Sequence, residues 1–390
     1  MTTDFIPLSV PNLKGRELEL VTTAVETEWV STGGPYVSQF EENISEYVNA
    51  KGAVACQSGT AGLHIALMVL GVTSDDLVLV PALTFIAAAN PIRYMNAEPM
   101  FLDCDSSLCI DPIKLERFCE EECTFTDGVL IHDQTDRPVR VLVVVHVFGN
   151  MADMEAIMAI ADRYNIKVIE DATEALGSYY TTGQYEGKYA GTIGTIGVYS
   201  FNGNKIITTG GGGMIVSDDQ ELLDHARHLT TQAKSDVVYF EHDEIGYNYR
   251  MTNLQAALGI AQLEQLESFI ETKNKNHEYY VHEIAPLENL AVLGFRPDIR
   301  SNKWFYSIVC EGDDFSRDDI IEQLSSNNIQ SRPIWGIIPD QKPYAGSLEY
   351  CVEQARKYRT QIVNVPCSTN LTEEEIDRVV QVLKEISSQQ

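Results

Sequence analysis

Lys205 sits between a polar turn, Ser200-Phe201-Asn202-Gly203-Asn204, and Ile206-Ile207-Thr208-Thr209 with four glycines behind it, 210–213. Schiff-base chemistry needs one lysine whose amine is neutral part of the time and held against an aldehyde. The polar neighbours can bind phosphate, and the glycines permit close backbone approach to a bound group. A surface lysine before a flexible loop would read the same, and these residues alone do not separate the two. Asp171 adds a second element, following Ile169-Glu170 at the carboxyl end of an apolar run, where ligands bind in open α/β sheets. A carboxylate there can pair with the pyridine nitrogen of pyridoxal 5'-phosphate (PLP) and so make the ring an electron sink. Taken singly, an Asp at a strand end is more often a turn residue or a helix cap. The third element is Gln57-Ser58-Gly59-Thr60-Ala61 at the start of a helical pattern, whose free N–H groups can take a phosphate, with Gly59 and Thr60 nearest. An ordinary N-cap is the plainer reading of that stretch by itself. Phe85, in Pro81-Ala82-Leu83-Thr84-Phe85, has the shape to stack on a pyridine ring, although most such aromatics are core.

Apolar β-rich runs alternate with helical patterns through about residue 230, the pattern of an α/β fold. Gly52 to Cys56 reads as a short buried strand, followed by a helix that Ser58 opens and Gly71 ends. Strands are expected at Leu77 to Val80, stopped by Pro81, at Val141 to Val147 and at Lys167 to Glu170, with a helix over 153–164 started by Asp153. Residues 124–140 carry turn signals on both sides of Val129-Leu130-Ile131 and predict an inserted β-hairpin. One long helix is predicted from about 255 to 285, with Leu254, Leu258, Leu263 and Leu266 along it, as the bridge to a smaller C-terminal lobe. That lobe ends on a helix over 372–387, where Thr372 and Glu375 have capping-box spacing. The expected domains are therefore 1–255, large, and 256–390, small.

The chain has 390 residues, enough for two packed lobes, and no apolar run long enough to span a bilayer. Its start, Met1-Thr2-Thr3-Asp4, lacks a signal-peptide pattern, so a cytoplasmic protein is expected. The net charge of -29 opposes binding to nucleic acid or anionic membrane, and an anionic substrate has to be met by a local cluster of Arg, Lys and N–H groups. The eight cysteines form no CxxC pair and suit reduced thiols. His225 and His228 share a helix face but have no carboxylate-rich partner motif, so no metal is expected.

The order SGTAGLHIAL, PALTFIAAAN, IEDATEALGS, SFNGNKIITTGGGGM and GYNYRMTNLQAA resembles the nucleotide-sugar aminotransferases, the DegT/StrS type of fold type I PLP enzymes. The resemblance covers almost the whole chain. It implies a large domain with a mostly parallel sheet flanked by helices plus a smaller C-terminal α+β domain. It further implies that Lys205 is the Schiff-base lysine and proton shuttle, and that Asp171 pairs with the pyridinium nitrogen. Gly59, Thr60 and Ser200 would bind the phosphate, Phe85 would cover one ring face, and Asn248 would reach the phosphate of the other subunit in a homodimer with shared active sites. Glu174 falls where relatives often carry Gln or His beside the ring hydroxyl. Trp304, Arg332 and Trp335 resemble the family's sugar-nucleotide side, and Arg332 suits a carboxylate or a diphosphate. A structural arginine is an equal alternative there.

The hairpin and the wording at 203–214 look closest to the branch that aminates C4 of UDP-4-keto-6-deoxy-N-acetylglucosamine, toward bacillosamine- or legionaminic-type sugars, with glutamate as donor. A GDP- or dTDP-linked keto-sugar is the alternative substrate. A sugar dehydratase of the family would carry His at position 205, and residues 199–214 oppose an aminotransferase restricted to amino acids. Lys205 and Asp171 together weigh against an inactive PLP-binding regulator or scaffold.

Overall fold

The computed structural model describes residues 5–236, 238–311 and 316–388. The polar start, Met1 to Asp4, lies outside them. Apolar runs from the first 220 residues, joined by one later segment, pair into a mixed sheet of ten described strands. Its main path runs Gly52–Cys56, Gly213–Ser217, Ile196–Ser200, Lys167–Asp171, Arg137–Val145, Leu77–Pro81, Glu98–Leu102 and Leu348–Tyr350. From Ile196–Ser200 to Leu348–Tyr350 all neighbours on this path are parallel, whereas Gly213–Ser217 runs against both of its own. The central strands are buried on both faces, which is why they read as near-continuous Val, Leu and Ile.

The helix caps follow the sequence. Ser58 Oγ accepts the Ala61 N–H at the start of Gly59–Val69, and Asp153 accepts that of Ala156 at the start of Met154–Tyr164. Thr372 and Glu375 bond each other's backbone before Glu373–Ser388.

Two elements differ markedly from expectation. The strand expected over 141–147 ends at Val145, because the His146 N–H turns to the Asp171 carbonyl and its ring to Glu170. It begins at Arg137, since the inserted hairpin, Cys123–Thr126 with Val129–His132, pairs antiparallel along 137–139. The helix expected from 255 to 285 is two, Asn253–Leu263 and Leu266–Ile284. Their buried faces serve different neighbours. The first packs its small residues, Ala256, Ala257 and Gly259, on Glu17–Glu26 and Pro35–Val48; a Cβ at Gly259 would lie 2.6 Å from Phe40 Cζ. The second packs on Leu290–Val292 and Glu373–Ser388. A single straight rod could not present both faces.

An antiparallel sheet in the order Leu290–Val292, Tyr306–Cys310, Ile362–Val365, Arg332–Pro333 carries the C-terminal part. Backbone pairing crosses the division expected near residue 255 in several places, among them Ile299–Arg300 beside Tyr179–Tyr180. Ile6 bonds Asn328 and Gln330 through its backbone, and Leu348–Tyr350 joins the large sheet beside Glu98–Leu102. Asp103 fastens that crossing: its buried carboxylate accepts the N–H groups of Glu353, Gln354 and Ala355 at the head of helix Gln354–Gln361. Among the described residues no helix is long and apolar enough to cross a membrane, and the eight cysteines are free.

Candidate active site

The carboxyl ends of the parallel strands open on one cavity of about 690 Å3. Ser200, Asp171 and Val145 end three adjacent strands, Thr84 and Phe85 follow Leu77–Pro81, and Ser58, Gly59 and Thr60 follow Gly52–Cys56. The C-terminal part supplies the remaining wall, with Trp304, Phe305, Arg332, Trp335, Arg359 and Asn364. Of the residues singled out from the sequence, Gly59, Thr60, Phe85, Asp171, Glu174, Ser200, Lys205, Trp304, Arg332 and Trp335 all line it. Asn248 does not; it is exposed, and its backbone bridges to Thr231.

Lys205 Nζ stands 3.6 Å from Glu174 Oε1 and 4.0 Å from the centroid of the Trp304 ring. Trp304 is fixed in turn, its Nε1 donating to the Asn204 carbonyl at 2.7 Å. Expected on the sugar side, Trp304 therefore also walls the lysine, as a cation–π partner. Asp171 is buried, and its Oδ1 accepts the Thr173 N–H at 3.1 Å. Burial pushes its carboxyl up, against the bonds from Thr173 and the charge of Lys205. Burial also raises Glu174, to about 7, against the pull of Lys205 and of the Phe148 N–H, which Glu174 Oε2 accepts at 2.8 Å. Both buried carboxylates gain from a cation brought beside them, as a protonated ring nitrogen would be.

The other end of the cavity suits a phosphate. Ser58 Oγ takes the Ala61 N–H and leaves those of Gly59 and Thr60, at the positive end of their helix, for an anion. A Cβ at Gly59 would lie 2.9 Å from Ser200 Cβ and from Thr173 Cγ2, so only glycine lets this helix start approach Ser200. The residues present thus fit a phosphorylated pyridine aldehyde. Phe85 is 55 % exposed within the cavity mouth, which removes the core reading of it. The glycine run plays another part than expected. Residues 210–213 do not line the cavity; a Cβ at Gly213 would meet the Ser58 carbonyl carbon at 2.6 Å, so the run lets one strand pack against the helix start.

Several contributors were not visible beforehand. Glu170, fully buried, accepts His146 Nε2 at 2.8 Å and the N–H groups of Gly191, Ile193 and Gly194. The Ala152 N–H bonds His146 Nδ1, so Nε2 carries the proton donated to Glu170. This pair anchors the strand end that holds Asp171; an acidic residue inside the apolar run was the signal available. Asn302 holds the Glu174 carbonyl from the far lobe, at 3.0 Å, and Arg359 enters the cavity from a helix that sequence periodicity did not connect to it. The inserted hairpin lies at the amino end of Arg137–Val145, the far end of the sheet, and none of 123–140 lines the cavity. His225 and His228 bond Glu244 and Asp243, and among the described residues no cluster of metal-ligating groups occurs.

Residues 11–384 match the DegT/DnrJ/EryC1/StrS aminotransferase family. The GDP-perosamine synthase of Caulobacter vibrioides is 35% identical over 98% of this chain and 98% of its own. The UDP-4-amino-4,6-dideoxy-N-acetyl-beta-L-altrosamine transaminase of Campylobacter jejuni is 32% identical over 78% of this chain and 76% of its own. The crystal structure of a DegT DnrJ EryC1 StrS aminotransferase from Brucella abortus superposes with a TM-score of 0.87 at 25% identity, covering 95% of each chain.

Proposed function

Since the chain belongs to the DegT/DnrJ/EryC1/StrS family and is a PLP-dependent aminotransferase of nucleotide sugars, we propose that it moves the amino group of glutamate to the C4 ketone of UDP-4-keto-6-deoxy-N-acetylglucosamine. The observation that carries this reading is the single cavity that sets Lys205, Asp171 and Glu174 within one space with Arg332 and Trp335. Bound PLP supplies the electron sink through which an amino group passes between two substrates in turn. Lys205 Nζ moves the proton at the reacting carbon, and Asp171 holds the ring nitrogen in its charged form. Gly59, Thr60 and Ser200 hold the phosphate, and Phe85 covers the ring at the mouth. Glu174, raised to about 7 beside Lys205, is poised to hold or release a proton at the ring hydroxyl.

The Campylobacter relative, named for a UDP-linked 4-amino-4,6-dideoxy sugar, supports the UDP assignment. A GDP-linked keto-sugar is the second reading, favoured by the Caulobacter relative of higher identity. We further assign Asn248 to the phosphate of a partner subunit. Its segment leaves Tyr239 and Ile245 78% and 80% exposed, apolar surface that a second copy would cover.

The test presents the purified holoenzyme, with glutamate, to UDP-, GDP- and dTDP-linked 4-keto-6-deoxy sugars. Products are read by mass spectrometry, and bleaching of the visible band by glutamate is followed separately. An amino sugar formed from the UDP substrate upholds the assignment. Turnover restricted to GDP substrates replaces it with the second reading.

A further inference from the structure

The chain carries 57 acidic residues against 28 Lys and Arg, so its arginines are ordinarily held by carboxylates. Arg356 is gripped by both Asp340 and Glu349. Arg359, one turn further along the same helix, is not. Its carbonyl accepts a bond from Arg317, but its Nη1, which exposes no surface, has no hydrogen-bond partner among the described residues. A guanidinium is always charged and presents five N–H donors; leaving one buried without an acceptor is costly unless an acceptor arrives from outside. The place of Arg359 says where from, because it lines the cavity that holds Lys205 and Asp171. Arg332 lines it too, from the strand that pairs with Ile362–Val365 just after the Arg359 helix, and among the described residues it makes no ion pair. The cations of the cavity are Lys205, Arg332 and Arg359, and Lys205 already stands beside Glu174.

We propose that Arg359, with Arg332, is the oxyanion seat of the substrate side of this cavity, taking a carboxylate of the amino donor or the diphosphate of the nucleotide sugar. The proposal rests on the transaminase reading above. Two planar forks on one wall suit paired oxygens, the feature that both substrates share. They also give an anionic substrate a local cationic target inside a molecule of net charge -29.

The experiment compares wild-type holoenzyme with Arg359→Ala and Arg359→Lys. Glutamate bleaching rates give one affinity, and calorimetry with UDP, GDP and glutarate gives the others. Arg359→Ala is expected to raise KM or Kd about tenfold or more for at least one class, with kcat for the glutamate half-reaction changed less than about threefold. Losses confined to glutamate and glutarate place a carboxylate in the seat, and losses confined to UDP and GDP place a diphosphate. The ligand-free Arg359→Ala protein should melt no lower than wild type, since an unpartnered cation has been removed. Affinities within twofold of wild type for every probe overturn the proposal, as does a lowered melting temperature with unchanged affinities. Should Arg359→Ala not fold, Arg359→Lys decides, because it keeps the charge and loses the fork; it must still weaken one class severalfold. Wild type that glutamate cannot bleach fails the transaminase reading itself, before Arg359 is changed.

Discussion

At the scale of single residues, the site is two buried carboxylates and a lysine that stands beside one of them, Glu174, with the Trp304 ring against its amine. Lys205→Ala should lose turnover by on the order of 10³-fold or more while still binding PLP, because the phosphate contacts lie on other residues. Turnover near wild type in the purified variant would remove Lys205 from the chemistry. Asp171→Asn should slow bleaching by glutamate by roughly 10²- to 10³-fold with the fold intact, since the neutral amide cannot hold the ring nitrogen charged. Glu174 gives a pH prediction with a definite sign. Its folded-state value is raised from 4.5 to about 7, so between those values the folded, PLP-free protein holds more protons than the unfolded chain. Stability therefore falls as pH rises through that window, by up to on the order of 3 kcal/mol. Glu174→Gln should flatten the slope, leaving the share that Asp171, raised in the same direction, contributes. Denaturant midpoints across the window check this, and a slope equal to wild type would contradict it.

At the scale of elements, the cavity depends on the clasp that ties the C-terminal segment to the large sheet. Burial alone would raise Asp103, but Lys114, 2.5 Å away, and the N–H groups of Ala355, Gln354 and Cys104 hold its carboxyl below the usual range. Its stabilisation is thus present above its unfolded-state value and lost as pH falls through the depressed one. Asp103→Ala strips the head of helix Gln354–Gln361 and leaves the partly buried Lys114 ammonium only the Cys351 carbonyl and the exposed Glu353 carboxylate, 4.0 Å away, and it should cost about 3–5 kcal/mol in urea unfolding at neutral pH. A cost under about 1 kcal/mol would show that the clasp is incidental. The elements themselves were largely legible. The fully apolar runs predicted buried parallel strands, and Ser58, Asp153 and Thr372 announced their helices by cap chemistry that acts within four residues. The break at Glu264–Gln265 was not legible, because continuous helical periodicity cannot reveal that two stretches pack on different neighbours.

At the scale of the whole molecule, the question is how many chains make one site. Asn248 lies outside the cavity of its own chain, in a segment whose Tyr239 and Ile245 are exposed. If it serves a partner's phosphate, Lys205→Ala and Asn248→Asp chains, each inactive alone, should complement on mixing. Asp beside a phosphate repels it in a partly buried site, which lowers PLP affinity. In a mixed dimer one site inherits both defects and the other neither, so about half of the mixed dimers' sites should recover activity. Demonstrated subunit exchange without any return of activity would place Asn248 within its own chain.

What the sequence by itself determined is the chemistry and the local scaffold. Lys205 in its polar turn, Asp171 at a strand end and Ser58-Gly59-Thr60 at a helix start can be read because strand ends, turns and caps are set by a few adjacent residues. The wording of five motifs supplied the family. Only the tertiary structure decided which distant residues share the cavity. Arg359 and Asn302 arrive from the C-terminal part, Trp304 turns to the lysine, and the glycine run packs behind the helix start instead of facing the cavity. The hairpin, conspicuous in sequence, lies at the far end of the sheet. The reason is physical: periodicity and caps report neighbours along the chain, whereas the cavity forms where strand ends of the large sheet meet residues of the C-terminal sheet, across hundreds of residues.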